Sequence, residues 1–461
     1  MTAANLFAEF AVSAPVPESA LALARNAFLD TIGVALAGAV EPASRIVQKL
    51  AVAEGAGNCR ILGTSFQTSA TWAALANGTA AHALDFDDMC FVSLAHPSAP
   101  LVAAALAIGE QAGASGRACL EAYVVGFEIE AVLGRTMNPR HYQQGWHCTS
   151  TLGTVGAAAA AARILELDGK AATHCLTIAA SEASGLKENF GTMTKPLHAG
   201  LAARNAVMAA LLAQQGFTAT ESAMEGPQGF LTAMASEKPD LQAFCCDLGK
   251  HWEILETGIT VKLYPSCAAT HPTLDTVLDL RREHNLTADQ IESVEVQVDS
   301  VTPPLLAYDR PKTGLEGKFS MPFCVAAALV HGVVGLETFE AAQVQDDRIQ
   351  NLLPRVAMRV DPSLGKDAPA LTQAIVQIRL RDGRTFTRNA NGARGYPDRP
   401  ASAEELDRKF LSCGQRALPK HRLQAALACL HNFETLGDIR QLTELMIPGK
   451  VDEHAANASL D

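Results

Sequence analysis

An unbroken run of alanines at residues 157–162 limits what the middle of this chain can fold into. Alanine has the highest helix propensity, and a helix that is small and apolar on every side is stable only in the centre of a fold, with neighbours packed close against it. Alanine-rich helical periodicity extends on both sides of this run, from the N-terminus to about residue 260. We therefore predict that this half of the chain is all-helical and needs no strand.

Individual helices can be placed from apolar residues that recur at spacings of three and four. Between Pro17 and Gly38 these residues are Leu21, Ala24, Phe28, Ile32 and Ala35. The same pattern predicts further helices at residues 68–83, 97–113, 116–134, 147–165, 170–183 and 196–215.

The pattern changes after Lys262. Residues 293–298 alternate as a strand does, residues 356–360 form a short apolar run, and residues 374–380 and 385–388 flank a turn as a hairpin. Helical periodicity is also present at residues 272–284, 319–331, 346–353, 403–411, 420–430 and 436–446. The predicted fold class is mainly α, with a large all-helical domain formed by both chain ends (residues 1–262 and 400–461) and a smaller inserted α+β domain (residues 263–399).

Charge and composition exclude several classes of protein. With 49 acidic and 37 basic residues, the chain has no electrostatic footprint for nucleic acid or an anionic bilayer. Its longest apolar runs, residues 155–162 and 323–330, fall short of the roughly 18 residues of a membrane span. Its eleven cysteines include no Cys-x-x-Cys pair, and its N-terminus has no basic stretch. We expect a soluble, cytoplasmic protein with a small ligand and with no nucleic-acid or membrane partner.

Three carboxylates lie within four residues in the segment His82-Ala-Leu-Asp85-Phe-Asp87-Asp88. Because like charges repel, something should compensate this cluster, which would be costly in a solvated loop. A metal ion, a cationic side chain held by one Asp, and capping of the following helix are all open interpretations. The segment also fits the Asp-x-Asp-Asp pattern of one class of terpene cyclases, but 5% aromatic residues supply few rings for a cation-stabilising cavity.

Basic side chains occur at four predicted helix starts. His96, Lys195 and His271 each precede a proline suited to the first helical position, and His147 opens a helix after Gly145. A helix N-terminus prefers an anion, so four such places favour a bound carboxylate in one local positive pocket. The alternative is that these are ordinary structural residues.

Motifs for common cofactors are missing from the sequence. It contains no Gly-x-Gly-x-x-Gly after a predicted strand, no Gly-x-x-x-x-Gly-Lys-Ser/Thr and no Gly-x-Ser-x-Gly. We therefore predict no nicotinamide, flavin or nucleotide, and no cofactor or resident metal is expected.

Six segments, taken together and in this order, resemble the MmgE/PrpD family. They are the His82 to Asp88 motif, His96-Pro-Ser, Gly145-Trp-His147, Gly191-Thr-Met-Thr-Lys-Pro-Leu-His-Ala-Gly200, Tyr264-Pro-Ser-Cys267 with His271, and Lys318-Phe-Ser-Met-Pro-Phe323. The family includes 2-methylcitrate dehydratase, cis-aconitate decarboxylase and iminodisuccinate epimerase. The resemblance implies an all-helical domain built from both chain ends, a smaller α+β domain, a homodimer, and a site between the domains.

The resemblance also implies site residues. By motif they are Asp85, His96, His147, Lys195 and His271. Tyr142 and His141, just before the Gly-Trp-His turn, are further candidate acids or bases, and we expect His198, Thr194 and Lys318 to bind substrate. Where the decarboxylases have a Tyr, this chain has Phe323, which counts against decarboxylation. Tyr264-Pro-Ser-Cys267 likewise departs from the segment expected of methylcitrate dehydratases.

The family members make or protonate a carbanion next to a carboxylate of a small di- or tricarboxylate. This step needs a base, an acid and fixed positive charge. We expect His147 as base, because the helix N-terminus should lower its pKa and keep the imidazole neutral near pH 7. We expect Lys195 to hold the anion or exchange the proton, His96 and His271 to bind carboxylates, and Asp85 to orient a His or Lys. The predicted function is a cofactor-independent dehydratase-type lyase. The alternatives are an epimerase of an iminodisuccinate-like dicarboxylate, a cis-aconitate-type decarboxylase, and more distantly a helical binding protein or a terpene cyclase.

Overall fold

Long helices build the N-terminal part of the fold. The computed structural model describes residues 2–235, 245, 247–366 and 371–449 of the chain. Its first long helices are α1 (Ala3–Ser13), α2 (Glu18–Gly38), α3 (Pro42–Ala53), α4 (Ala70–His82), α5 (Ser98–Ala112), α6 (Gly116–Met137), α7 (Cys148–Ile164), α8 (Gly169–Glu182) and α9 (Thr194–Gln214). Shorter helical segments lie at Arg140–Gln143, Phe230–Ala235 and Glu253–Glu256. The predicted helices are confirmed, while α1 and α3 were not predicted.

The alanine run lies on α7, in the centre of this helical layer. All residues from 157 to 162 are fully buried, and α5, α6, α8 and α9 pack against the helix. At Gly156 the backbones of α7 and α6 approach so closely that a Cβ atom would lie 2.7 Å from the carbonyl oxygen of Gly126. Small residues therefore set the helix spacing, as the sequence predicted.

The prediction that the first half of the chain needs no strand is wrong. Strands β1 (Cys59–Arg60) and β2 (Gln67–Thr68) pair antiparallel between α3 and α4. Asn77 of α4 holds this hairpin, because its side chain accepts from Leu62 N and donates to Arg60 O. Strands of two residues leave no alternating pattern in a sequence, which explains the error.

A mixed sheet forms the α+β part of the chain. In the described residues its strands are β3 (Ile291–Val298), β4 (Val356–Val360), β5 (Gln373–Leu380) and β6 (Thr385–Asn391), in the spatial order β4-β3-β5-β6. β3 is parallel to β4 and antiparallel to β5, and β5 forms the predicted hairpin with β6. Helix α10 (His271–Glu283) packs on β5 and β6, and α11 (Met321–His331) contacts α10 and β4.

Shorter segments complete this part of the chain. They are helical turns at Thr302–Leu305, Gly314–Gly317, Ala341–Val344 and Asp347–Leu352.

The C-terminal segment returns to the N-terminal helices, as the predicted fold class requires. Helix α12 (Ala403–Gly414) packs along α2, where a Cβ on Gly33 would lie 3.0 Å from the Cα of Phe410, and α13 (Lys420–His431) packs against α2 and α12. The domain limits themselves stay a prediction, and residues 450–461 of the predicted helical domain lie outside the described residues.

The helix predicted at residues 436–446 is mostly absent. Only Arg440–Thr443 is α-helical, and Glu444–Met446 continues it as a 3-10 turn. The preceding backbone is engaged elsewhere, because Gly116 N donates to Leu436 O and Ile439 N donates to Ala114 O. These bonds attach the segment to the loop after α5 and remove it from a continuous helix.

Helix α2 is long and apolar enough, by length and composition, to cross a membrane. In this fold 78% of its most apolar window is buried. Such burial is also typical of a core helix in a globular domain.

Candidate active site

Three of the four basic helix starts meet at one cavity. His96 lies two residues before α5, His147 immediately precedes α7, and Lys195 is the second residue of α9. All three line a cavity of about 20 Å³, together with Asp85 and Tyr142. A space of this size holds about one water molecule. A small polycarboxylate therefore needs the cavity walls to move apart before it can bind.

Apolar groups form the rest of the cavity wall. The rings of Phe190 and Phe319 contact each other with centroids 5.9 Å apart, and each centroid is 5.2 Å from Lys195 Nζ. Leu305 and Leu371 come from the α+β part of the chain. The predicted location of the site, between the helical layer and the α+β part, agrees with this wall. Low local polarity strengthens every charge interaction inside the cavity.

Asp85 is the carboxylate to which the buried charged groups of the site are bound. Its Oδ1 accepts a hydrogen bond from Lys195 Nζ, its Oδ2 lies 3.2 Å from Lys262 Nζ, and His96 Nε2 lies 3.7 Å from Oδ1. Burial alone would raise the pKa of Asp85, but Lys195, Lys262 and His96 outweigh burial and hold that pKa far below its usual range. The sequence predicted that something compensates the negative charge of this carboxylate, and the compensating groups are the ammonium groups of Lys195 and Lys262.

The other two carboxylates of the motif have different partners. Asp87 Oδ2 lies 2.7 Å from His82 Nδ1 and 3.4 Å from His96 Nδ1, and against the effect of burial these imidazoles lower the pKa of Asp87. Asp88 accepts from the backbone N–H of Ser98 at the start of α5, and burial raises the pKa of Asp88 to about 8. The segment is thus a buried loop in which only Asp88 has the predicted capping role.

Four histidines form a column beside Asp85 and Asp87. Ring centroids are 4.6 Å apart for His96 and His82, 5.6 Å for His82 and His147, and 5.3 Å for His147 and His198. Burial lowers the pKa of each imidazole, to about 3 for His82 and to about 4 for His198, and well below the usual range for His147. These rings are therefore neutral near pH 7. The cause at His147 is chiefly burial, whereas the sequence had suggested the helix N-terminus.

The hydrogen bonds of His147 fit a base. Its Nδ1 lies 3.1 Å from His198 Nδ1, and its buried Nε2 has no hydrogen-bond partner within the described part of the chain. If Nδ1 of His147 donates its proton to His198, the Nε2 lone pair is free to accept one.

Tyr142 is a protonated acid on the cavity wall. Burial raises the pKa of Tyr142 well above its ordinary value, so its hydroxyl keeps a proton near pH 7. Lys187 Nζ lies 3.5 Å from the centroid of the Tyr142 ring and donates to the Tyr142 carbonyl oxygen. The ring is thereby held in place from outside the cavity.

The remaining predicted residues lie around the cavity and outside its wall. His271 Nε2 is 3.2 Å from Ser266 O, and burial lowers the pKa of this imidazole to about 3. His198 is behind His147, and Thr194 is the half-buried first residue of α9. Lys318 donates to the carbonyl oxygens of Leu84 and Pro265. The predicted substrate-binding roles of these four residues stay predictions.

Phe323, which stands in place of a family tyrosine, is fully buried in α11. Its ring packs 5.8 Å from that of Phe339, and it is not part of the cavity wall. A tyrosine hydroxyl at position 323 would therefore not belong to this cavity wall.

Sequence reasoning missed three charged or polar residues of the site. His82 and Asp87 are in the motif that was recognised, but their pairing depends on the bend of the loop after α4. Lys262 is fully buried and pairs with Asp85, yet it belongs to no motif. The predicted positive pocket of histidines is also corrected, since the imidazoles are neutral and the positive charge comes from Lys195 and Lys262.

A bound metal ion is one of the interpretations that the sequence allows for the Asp cluster. His82, Asp85, Asp87 and His96 offer ligand atoms within 4.8 Å of one another. Lys195 and Lys262 already occupy the Asp85 oxygens, so a divalent cation would have to compete with two ammonium groups. The expectation of a site without a metal stays a prediction.

Comparison with known proteins gives matches along the chain. The family model of the MmgE/PrpD N-terminal domain matches residues 5–242, and that of the MmgE/PrpD C-terminal domain matches residues 264–433. A cis-aconitate decarboxylase of Mus musculus is 28% identical over 94% of this chain and 91% of its own length. That of Homo sapiens is 27% identical over 84% of this chain and 82% of its own length, and that of Aspergillus terreus is 25% identical over 94% and 92%.

Proposed function

The chain belongs to the MmgE/PrpD family of enzymes, and from this premise we propose that it is a cofactor-independent lyase of a small di- or tricarboxylate. The reaction moves a proton at a carbon next to a carboxylate. One observation carries the proposal: the Asp85–Lys195 ion pair lies in a closed cavity beside a neutral His147.

Positive charge selects the substrate class. Lys195 and Lys262 are buried at Asp85, and two helices begin at the cavity wall, α7 directly after His147 and α9 one residue before Lys195. Ammonium groups and helix N-termini together bind carboxylates. A substrate with two or three carboxylates gains more than one of these contacts, whereas a hydrocarbon gains none.

The residues have complementary roles in proton transfer. In dehydration or epimerisation, His147 takes a proton from the carbon next to the carboxylate through its Nε2, which has no hydrogen-bond partner among the described residues. Negative charge then develops on the carboxylate oxygens, where Lys195 stabilises it, and Asp85 holds Lys195 in place. Tyr142 stays protonated and acts as the acid, donating its proton to the carbanion or to the leaving hydroxyl.

Decarboxylation is the first reaction to test. In that step the bond from carbon to one carboxylate breaks, CO₂ leaves, and the electron pair left on carbon takes a proton from Tyr142. The relatives' names favour this reaction over the dehydration that the sequence placed first. Because Phe323 lies outside the cavity wall, its missing hydroxyl carries less weight against decarboxylation than the sequence suggested.

Dehydration is the second candidate, since the same groups support it. His147 would remove the proton next to the carboxylate, and Tyr142 would protonate the leaving hydroxyl. Epimerisation needs a second base on the opposite face of the substrate and is an outcome of the same test.

The experiment uses purified protein in deuterated water with cis-aconitate, citrate, 2-methylcitrate, tartrate, malate and iminodisuccinate, followed by NMR of the carbon-bound protons. Loss of CO₂ means decarboxylation, a new alkene without loss of carbon means dehydration, and deuterium exchange without net loss means epimerisation. Lys195→Ala should abolish the reaction. Lys170→Ala is the matched control, because Lys170 is also the second residue of a helix, α8, but is exposed. The proposal fails if no substrate reacts or exchanges.

We further propose a cytoplasmic homodimer that associates through an apolar surface of α3 and α9. Ile46 and Leu50 of α3 are about half exposed, and Met193 and Met208 near α9 are also exposed. Leu197 and Leu201 of α9 pack against the same small core as Val47 and Ala51 of α3. Light scattering of the protein and of an Ile46→Glu/Leu50→Glu variant should give a dimer and a monomer respectively. A monomeric wild-type protein would disprove this assembly.

A further inference from the structure

Three buried lysines donate to three consecutive carbonyl oxygens of the loop after α4. Lys318 Nζ lies 2.7 Å from Leu84 O, Lys262 Nζ lies 2.9 Å from Asp85 O, and Lys409 Nζ lies 2.8 Å from Phe86 O. All three lysines are at most 7% exposed. Burying a lysine is costly, and at Lys318 burial lowers the pKa to about 7. Three buried lysines on one short loop therefore need an explanation.

The lysines come from separate parts of the chain. Lys409 is on α12, in the C-terminal helices, Lys318 lies just before α11 in the α+β part, and Lys262 lies between these two parts. The loop is therefore bonded to the C-terminal helices, to the α+β part and to the segment that connects the N-terminal helices with the α+β part. A distant change in any of these elements would reach Asp85 through one backbone bond.

The buried charges are compensated differently. Lys409 pairs with Asp30 Oδ1 of α2 at 2.6 Å, and Lys262 pairs with the Asp85 carboxylate. Lys318 has carbonyl partners, Leu84 O and Pro265 O, with the ring centroid of Phe339 at 4.5 Å. Removing Lys318 therefore leaves no unpaired carboxylate behind, which makes it a useful position for substitution.

Asp85 itself has a backbone conformation that needs support. Its φ angle is +52°, in the left-handed region that non-glycine residues seldom adopt. In this conformation the Asp85 side chain contacts Lys195 while its carbonyl oxygen accepts from Lys262. Residues in sparsely populated conformations persist when the surroundings fix them from several sides.

We propose that Lys318 and Lys409, together with Lys262, are positioning residues that fix the backbone from Leu84 to Phe86 and so align the Asp85 carboxylate with Lys195. They act through the loop and need not touch the substrate. The alignment matters for turnover only if the proposed function is right, and it matters for the shape of the loop in either case.

The test uses two variants that create no unpaired buried charge. Asp30→Asn/Lys409→Met removes the bond to Phe86 O together with the ion pair, and Lys318→Met removes the bonds to Leu84 O and Pro265 O. For each we expect kcat to fall roughly 10- to 100-fold, as for a misplacement of about 1 Å, with KM changed less than threefold. The matched control is Glu121→Gln/Arg163→Met, because Arg163 also pairs with a carboxylate and donates to a backbone carbonyl, that of Ala11, far from the loop. This control should keep the wild-type kcat.

A double-mutant cycle distinguishes positioning from general weakening of the fold. In an Asp85→Asn background the Lys318→Met substitution should cost less than twofold in kcat, because the residue on which it acts is already lost. Equal losses with and without Asp85 would overturn the proposal, as would a wild-type kcat in both variants.

A crystal structure of each variant gives a result that does not depend on activity. We expect the loop to move and the contact between Asp85 and Lys195 to open. An unchanged loop in both variants overturns the proposal even if no substrate has been found. If the variants show the expected movement while the wild-type protein is inactive on every substrate tested, the proposed function fails and the positioning role stands. Should Asp30→Asn/Lys409→Met not fold, Lys318→Met decides alone.

Discussion

The Nδ1 atoms of His147 and His198 lie 3.1 Å apart in the buried interior beside the cavity. Only one of the two nitrogens carries the hydrogen that joins them, and this choice determines which nitrogen of His147 faces the chemistry with a lone pair. A His147 that acts as a base must donate from Nδ1 and leave Nε2 free. In the proposed function, His198 is therefore the acceptor that selects the reactive tautomer of His147.

Substitution of His198 tests this relationship. His198→Ala removes the acceptor and should lower kcat roughly 10-fold or more, because His147 loses the partner that fixes its tautomer. His198→Asn places an amide oxygen near the former Nδ1 and should retain more activity than His198→Ala. Steady-state kinetics of both variants on the identified substrate measures the difference. Equal kcat values for Ala and Asn would show that His198 does not act as an acceptor.

The acid side of the pH profile tests the neutral imidazole at position 147. Burial lowers the pKa of His147, so the uncharged base persists at pH values where an ordinary histidine, with a pKa of about 6.5, is protonated. Activity should therefore stay constant from pH 7 down to about pH 5, and decline only as the pKa of about 4 of His198 is approached. A measured loss of kcat/KM centred near pH 6.5 would contradict this assignment.

Much of the fold could be predicted because its signals are local. The alanine run placed α7 in the core, and the alternation at residues 293–298 and in the hairpin placed the sheet strands. The two-residue strands β1 and β2 could not be predicted, since side chains of α4 and α5 hold them and not their own pattern. The tail at 436–439 was misjudged for the same reason, because its backbone bonds to the loop after α5.

The residues of the candidate site could be predicted where a basic side chain lies at the start of a helix, as at His96, His147 and Lys195. Lys262 and Lys409 could not be predicted as buried residues, because most lysines lie on the surface and only the three-dimensional packing shows that these two do not. The charge state of the histidines was also out of reach, because burial decides it and the sequence shows only the residue type.

Asp88 should make stability depend on pH in the opposite direction from an ordinary surface carboxylate. Burial raises its folded pKa from 3.8 to about 8, so its contribution to stability is fully present below about pH 4 and is lost as the pH rises through about 8. Asp88→Asn mimics the protonated group, because its amide can bond to both the backbone N–H and the hydroxyl of Ser98.

We therefore expect the free energy of unfolding of Asp88→Asn, relative to wild type, to increase between pH 5 and pH 8 by up to about 1.4 kcal/mol per pH unit. Urea denaturation at each pH measures it. Other buried acids, such as Glu128, titrate in both proteins and cancel in the difference. A difference that does not change with pH would show that Asp88 is ionised in the folded protein.

Asp85→Asn should destabilise the protein far more than loss of a surface carboxylate. Lys195 and Lys262 are buried, and Asp85 is the carboxylate that both contact, so the substitution leaves two ammonium groups with insufficient compensation. We expect the free energy of unfolding to fall by about 3–5 kcal/mol at pH 7. Asp382→Asn, which breaks the exposed ion pair with Arg384, is the control and should change the free energy of unfolding by less than about 1 kcal/mol.

The same substitution of Asp85 has an expected pH dependence. Because folding lowers the pKa of Asp85, its contribution to stability is fully present above its ordinary pKa and is lost progressively as the pH falls below that value. The two proteins should therefore converge in stability under strongly acidic conditions, and a gap that instead widened toward low pH would mean that Asp85 is not the anion that holds these lysines.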